Sequence, residues 1–233
     1  MDPRHRERLL AAGVEAEALD AQAWRLLTDE LPQWWHDCRN ALYYAPGAYL
    51  PDAAFENLLV YPMSDSIIVV GSPLDTLASL LVGGDRAVVF FGERVILTAG
   101  DLYCGPDSSI VLHGPLVATR CPVVDARNGG SVVAEPDQLW AAGVYIATDD
   151  MHRLTDVATG ARLNPFGADI RLGRHVWLCR DAVVSGHTHI EHDAVVGTRS
   201  VVRGQKVPAH TVVAGTPARV VREGVTWDFD DLP

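Results

Sequence analysis

From Leu172 onward the chain carries an aliphatic residue at every sixth position: Leu172, Leu178, Val184, Ile190, Val196 and Val202. A period of six fits neither the 3.6-residue repeat of an α-helix nor the two-residue alternation of a half-buried strand. It fits a chain that turns a corner every six residues. Three corners then make one triangular coil of a parallel β-helix, with one apolar side chain per face pointing inward. Written in sixes, the stretch reads LGRHVW, LCRDAV, VSGHTH, IEHDAV, VGTRSV, VRGQKV. The fifth position holds small or medium residues (Val176, Ala182, Thr188, Ala194, Ser200), as a tight corner requires, and the pattern ends at Lys206.

Upstream the pattern is looser. From about Pro51 the segments SIIVVG, AVVFFGERVILTAG, SIVLHGPLVATR and PVVDARNGGSVVAE alternate with Gly, Asp, Asn and Pro, and read as short strands broken by turns. They are expected to form imperfect early coils, with GSPLDTLASLLVGGD looping outward. Residues 1–45 read as helical, because Leu9, Leu10, Val14, Leu19, Trp24, Leu27 and Leu31 fall at roughly helical spacing. Pro32 ends or restarts that helix. Trp34, Trp35, Tyr43 and Tyr44 cluster around a second short helix, the whole making a packed cap. The expected organisation is a helical region 1–50, a β-helix 51–222 and a closing tail 223–233. One interruption, IATDDMHRLTDVATGARLNPFGAD, has no six-residue register and is expected to project as a loop over 147–169. Insertions in repeat proteins often build the site, and this one carries Asp149, Asp150, His152, Asp156, Arg162 and Asn164.

Composition narrows the partners. A net charge of -11 over 233 residues argues against a general nucleic-acid or anionic-membrane binder. The four cysteines form no CxxC pair, which points to reduced thiols and a cytoplasmic protein. The first residues, MDPRHRERLLAAGVEAEALDA, are charged and lack the apolar core of a signal peptide. No apolar run approaches the length of a membrane span.

Residues 144–222 resemble the hexapeptide-repeat O- and N-acetyltransferases, most closely the galactoside, maltose, xenobiotic and polysaccharide acetyltransferases. The resemblance rests on the DDMH loop followed by TGARLNP, on IRLGRHVWL against the family's I-x-I-G-x-x-V-W-I-G, on the repeats ending in VVGTRSVV, and on TVVAGTPARVVR against V-x-A-G-x-P-A-[KR]-V. It implies an all-β fold, a left-handed parallel β-helix, assembled as a homotrimer with acetyl-CoA in the cleft between subunits. It also implies that His152 is the catalytic base. The family's S-V-V-T-K-D-V-P turn reads SVVRGQKVP here, one residue longer with the lysine displaced. Arg203 and Lys206 are therefore both candidates for the CoA phosphates.

Acetyl transfer from a thioester needs an acceptor hydroxyl or amine made nucleophilic, and a neutral imidazole can take its proton as attack occurs. His152 fits that role, with Asp149 or Asp150 to hold the ring and stabilise the imidazolium. Arg219, directly after AGTPA, joins Arg203 and Lys206 as a basic patch suited to phosphate oxygens. Ala214, Gly215 and Pro217 let backbone approach the cosubstrate. Trp177 is expected beside the thioester arm, and Ala182 and Ser200 at the corners facing it. No metal is expected. Two alternatives stand beside this reading. One is a zinc enzyme like the γ-class carbonic anhydrases, using His152, His187 and His192. The other is a non-catalytic β-helix scaffold. The acceptor implied is a small molecule, a sugar or sugar-containing compound.

Overall fold

The computed structural model describes residues 1–230. Its body is a parallel β-helix with three sheets of nine, six and seven strands, visited in rotation as the chain climbs. We call them the first, second and third sheets in that order. The all-β architecture agrees with the left-handed parallel β-helix expected from the six-residue period.

The inward columns explain the period. Leu172, Ile190 and Val207 stack on the first sheet, Val184 and Val202 on the second, and Leu178 and Val196 on the third. All six residues of the periodic set are fully buried. Complete burial of each such side chain stabilises the fold by about 1.5–3 kcal/mol. The same columns run back through the early coils, where Leu80, Leu102, Val124 and Ile146 continue the second sheet inward of Val184. Rung spacing differs, however. Val183 pairs with Val201, 18 positions on, whereas Asp101 pairs with Val123, 22 positions on. The longer coils carry longer strands, of four, three and four residues over 88–104 against three, two and three over 188–203. Corners in both kinds of coil hold non-glycine residues in the left-handed region, such as Asp107 (φ 55°), Asn128 (56°) and Asp193 (56°). Asn and Asp tolerate that conformation better than most residues.

Two sequence expectations change. Ser79–Val82 does not loop outward; it is a rung of the second sheet, paired in parallel with Asp101–Cys104. Residues 1–45 are not one helical cap. Helix α1 (Pro3–Ala11) and helix α2 (Ala16–Asp20) lie outside the first sheet, where Leu9, Val14 and Leu19 cover the outward column Tyr43, Val69, Phe90, Val111 and Val133. That column turns polar at Arg171, His189 and Lys206, on the rungs beyond the helices. Helix α3 (Gln33–Asp37) and helix α4 (Asp52–Leu58) place Trp35, Ala54 and Leu58 in the inner core. Ala41–Tyr44 is already a rung, paired in parallel with Ile67–Val70, so the β-helix begins before the expected boundary at 51. All four of its side chains are buried, on alternate sides of the sheet, which removes the helical reading of the Tyr43–Tyr44 cluster.

At the other end Thr211–Gly215 turns back on Ala218–Glu223 as an antiparallel pair. The following tail returns along the third sheet, with Trp227 buried against the His175 ring at 4.1 Å and its indole N–H donating to the His175 carbonyl. Residues 231–233 of the expected tail lie outside the described residues. No helix is long and apolar enough to cross a membrane, among the described residues.

Candidate active site

The chain leaves the second sheet after Ala147 and rejoins the first at Asp169. Between them runs the irregular excursion, with one antiparallel bridge, Thr155 to Arg162. Two side chains shape it. The Asp149 carboxylate, itself fully covered, accepts from Met151 N (2.6 Å), Gly167 N (3.1 Å) and Asn128 Nδ2 (3.0 Å), so it ties exit and re-entry together. Burial pushes the Asp149 carboxyl up, but the hydrogen bonds from Asn128, Gly167 and Met151 outweigh it and the carboxyl lies below its ordinary value. Asn164, also buried, donates to the His152 carbonyl (2.8 Å) and Asp150 Oδ2 (3.2 Å) and accepts from Leu154 N (2.9 Å). It pins the turn that presents His152.

His152 is exposed, and neither Asp149 nor Asp150 hydrogen-bonds its ring among the described residues. The two carboxylates hold the loop rather than the imidazole. Asp150 forms a two-pronged pair with Arg203, at 2.7 and 2.6 Å. That guanidinium keeps the Asp150 carboxyl below its ordinary value. The pair closes one side of a cavity of about 260 Å³ lined by Tyr145, Ala147, Asp149, Asp150, Met151, Val183, Ser185 and Arg203.

The cationic candidates separate. Arg203 is committed to Asp150, and Lys206 to Glu191 at 2.7 Å on a different sheet. Arg219 is exposed and has no carboxylate partner among the described residues; it donates only to the Ala218 carbonyl. Arg222, on the same returning strand, is likewise without an ion-pair partner among them, and sequence reasoning did not single it out. Ala182 and Ser200 are fully buried, with Ser200 Oγ accepting from Gly215 N, so only their backbones face outward. Ala214 and Gly215 (φ 103°) lead into the exposed turn at Pro217. Trp177 points outward from the third sheet, against the tail's Trp227 at 6.0 Å.

His152, His187 and His192 do not converge within the chain. His187 Nδ1 accepts from Asp169 N at the corner that leads into the first sheet, while His192 Nδ1 meets Asp193 Oδ2 at 2.8 Å at another corner. Among the described residues the donor atoms near enough to share a cation are those of His192, Asp193 and His210, within 4.8 Å. They are already engaged as a clasp. Asp193 also accepts from His175 and Thr226, and His210 Nδ1 lies 3.3 Å from the Val225 carbonyl. Burial raises the Asp193 carboxyl, yet the hydrogen bonds from His192, His175 and Thr226 hold it well below its ordinary value.

No family model matches the chain. A curated relative, WbbJ of Escherichia coli K12, is 27% identical over 138 residues; its name assigns it to O-acetyl transfer in lipopolysaccharide biosynthesis. The match covers 59% of this chain and 62% of the relative, so the chain spans about three-fifths of that protein's length. Among solved structures, the polySia-specific acetyltransferase NeuO superposes with a TM-score of 0.61 at 20% identity, covering 72% of this chain and 77% of that one. The polysialic acid O-acetyltransferase OatWY gives 0.50 at 21% identity, covering 75% and 86%. These likenesses establish a shared β-helix fold.

Proposed function

We propose that the protein transfers an acetyl group from acetyl-CoA to a hydroxyl (or amine) of a saccharide, by direct transfer in a ternary complex. The observation that carries this reading is the pinned excursion. Asp149 and Asn164 fix a loop whose residues Asp150 and Met151 line an outward cavity, with His152 next in the chain. The resemblance of that loop and of the AGTPAR turn to the acetyltransferases, and the O-acetyltransferase names of its relatives, support it.

In the proposed step the His152 imidazole takes the acceptor proton as the oxygen attacks the thioester carbonyl. The C–O bond forms, the C–S bond breaks, and the CoA sulfur leaves with the proton returned from the imidazolium. A backbone N–H at a coil corner is the donor for the carbonyl oxygen. Arg219 is the cation placed for the CoA phosphates, and Arg222 lies three residues along the same exposed strand. Arg203 serves the loop through Asp150, and Lys206 pairs with Glu191.

The working unit is a homotrimer. Met151, Leu154, Val157, Leu163 and Phe166 are all exposed on the excursion of a single chain. An apolar loop of this size calls for cover from a neighbouring copy, and that copy would supply the group that orients the His152 ring. A cytoplasmic location, where acetyl-CoA is supplied, belongs to the same proposal.

A screen of saccharide acceptors with acetyl-CoA, read by release of free thiol, tests the activity. His152→Ala is expected to lower kcat by ~10²–10⁴-fold. Absence of CoA binding by calorimetry overturns the activity, and full thiol release by His152→Ala overturns the role of His152 as base.

A further inference from the structure

The outward face of the second sheet continues well beyond the His152 loop. Register places Leu81, Tyr103, Asp125, Ala147, Ser185 and Arg203 in one outward column, one per rung. At ~4.8 Å per rung, Tyr103 lies about 19 Å from Arg203. One end of the column is the cavity beside the loop. The other opens into a second cavity of about 510 Å³, lined by Tyr61, Pro62, Leu81, Gly83, Tyr103 and Arg127. Ala147 and Ser185, in the wall of the loop-side cavity, are small and nearly covered, so the column dips there with Tyr145 flanking it, and Asp125 is the one residue of the column between the two cavities.

Arg127 is the informative residue. Its guanidinium carbon stands 3.9 Å over the Tyr103 ring centroid, and its Nε donates to Asp125 Oδ1 at 2.6 Å. The Asp125 side chain is 8% exposed. Stack and ion pair fix the plane of the guanidinium, yet its two Nη nitrogens have no hydrogen-bond partner among the described residues. Neutralising Asp125 requires only the Nε contact, so two oriented donors remain beside an open cavity. A planar fork of this kind matches a carboxylate, and a fork already held in place costs a ligand little ordering entropy. Gly83 leaves the room, because a Cβ there would overlap the Tyr103 hydroxyl. Tyr61, half exposed at the rim, offers a second aromatic surface.

We propose that this face is a binding groove for an acidic saccharide chain. Arg127 seats the carboxylate of one pyranose, Tyr61 and Tyr103 flank it, and the chain runs over Ala147 and Ser185 toward the His152 loop, several sugar rings away. The groove rests on the transferase reading for what happens at the loop end; the binding itself does not.

Calorimetry with oligosialate and oligogalacturonate ladders of one to six residues tests it, with malto-oligosaccharides as the neutral series. At least one acidic series is expected to bind, tightening ~10-fold or more from one residue to four, which is about 1.4 kcal/mol. Arg127→Lys keeps the charge and loses the fork, and is expected to weaken that binding ~10-fold. Tyr103→Leu is expected to weaken it as well, with thermal midpoints measured in parallel to confirm folding. Binding of neither acidic series, equal binding of the neutral one, or wild-type affinity in folded Arg127→Lys and Tyr103→Leu overturns the groove. Thiol release by the wild-type protein separates the two readings: if no acceptor releases thiol while acidic oligomers bind, the transferase assignment falls and the groove stands.

Discussion

Asp149→Asn separates two roles that the same carboxylate could hold. In the structure Asp149 accepts three hydrogen bonds, from Met151 N, Gly167 N and Asn128 Nδ2, and its carboxyl atoms are fully covered. Hydrogen bonds to a charged group contribute about 1.5–3 kcal/mol each, and an unpaired buried donor costs about 1–3 kcal/mol. In Asp149→Asn the new amide N–H₂ faces two donors. Asn128 relieves its own clash by turning its amide over; the Gly167 N–H has no such freedom. The expected cost is about 2–4 kcal/mol of local opening, one unpaired donor plus the lost charge. At 1.36 kcal/mol per tenfold, amide exchange at Met151 and Gly167 should quicken by roughly thirty-fold to a thousand-fold. The inward columns are untouched, so the coils should keep their exchange protection. Hydrogen exchange read by mass spectrometry on peptides across 148–168 and on a coil peptide makes the comparison. Acid gives a second reading. The folded carboxyl titrates below its unfolded value of ~3.9, so its contribution is present above that pH and is lost as pH falls through the folded value. The wild-type loop should therefore loosen below about pH 4, and Asp149→Asn should lack that step. If Asp149 instead served the His152 ring, the Asn variant would lose up to ~10⁴-fold in kcat, as an Asp→Asn change does in a Ser-His-Asp triad, with loop exchange unchanged. That result would refute the clamp.

Further outcomes follow from other parts of the molecule. Leu178→Ala empties a fully buried position on the third sheet and should cost about 2–5 kcal/mol in urea unfolding, whereas a loss below ~1 kcal/mol would remove Leu178 from the core. Arg203→Gln takes away the two-pronged partner of Asp150; the Asp150 carboxyl should titrate higher by NMR, and an unmoved midpoint would mean that the pair is absent in solution. Trp227→Ala should free the tail, speeding tryptic cleavage after Arg222 and red-shifting Trp177 emission, at a stability cost of about 2 kcal/mol. An unchanged emission spectrum would show that the tail does not lie on Trp177.

What the sequence revealed, and what it hid, follows from coil length. With 18 residues per coil the inward positions fall in phase, so Leu172 through Val202 announce themselves. With 21 or 22 residues the longer strands shift the phase at every turn, as between Val88 and Ser109 or Asp101 and Val123, and the same inward stack becomes invisible to a fixed period. The excursion was legible because it breaks a regular pattern. Its wiring was not: Asp150 meets Arg203 only because Ala147, Ser185 and Arg203 share one outward column, a fact set by sheet register across 53 positions of sequence. The Tyr103–Arg127 platform was hidden for a related reason, since Tyr103 and Asp125 are adjacent rungs separated by a 22-residue coil. The helices were misread where burial on both faces of Ala41–Tyr44 erased the alternation that marks a strand. A β-helix thus declares its frame through the inward columns. Its chemistry lies on the outward columns, which are set by the same register but carry no period of their own, and the six-residue repeat is silent about them until the coils are counted one by one.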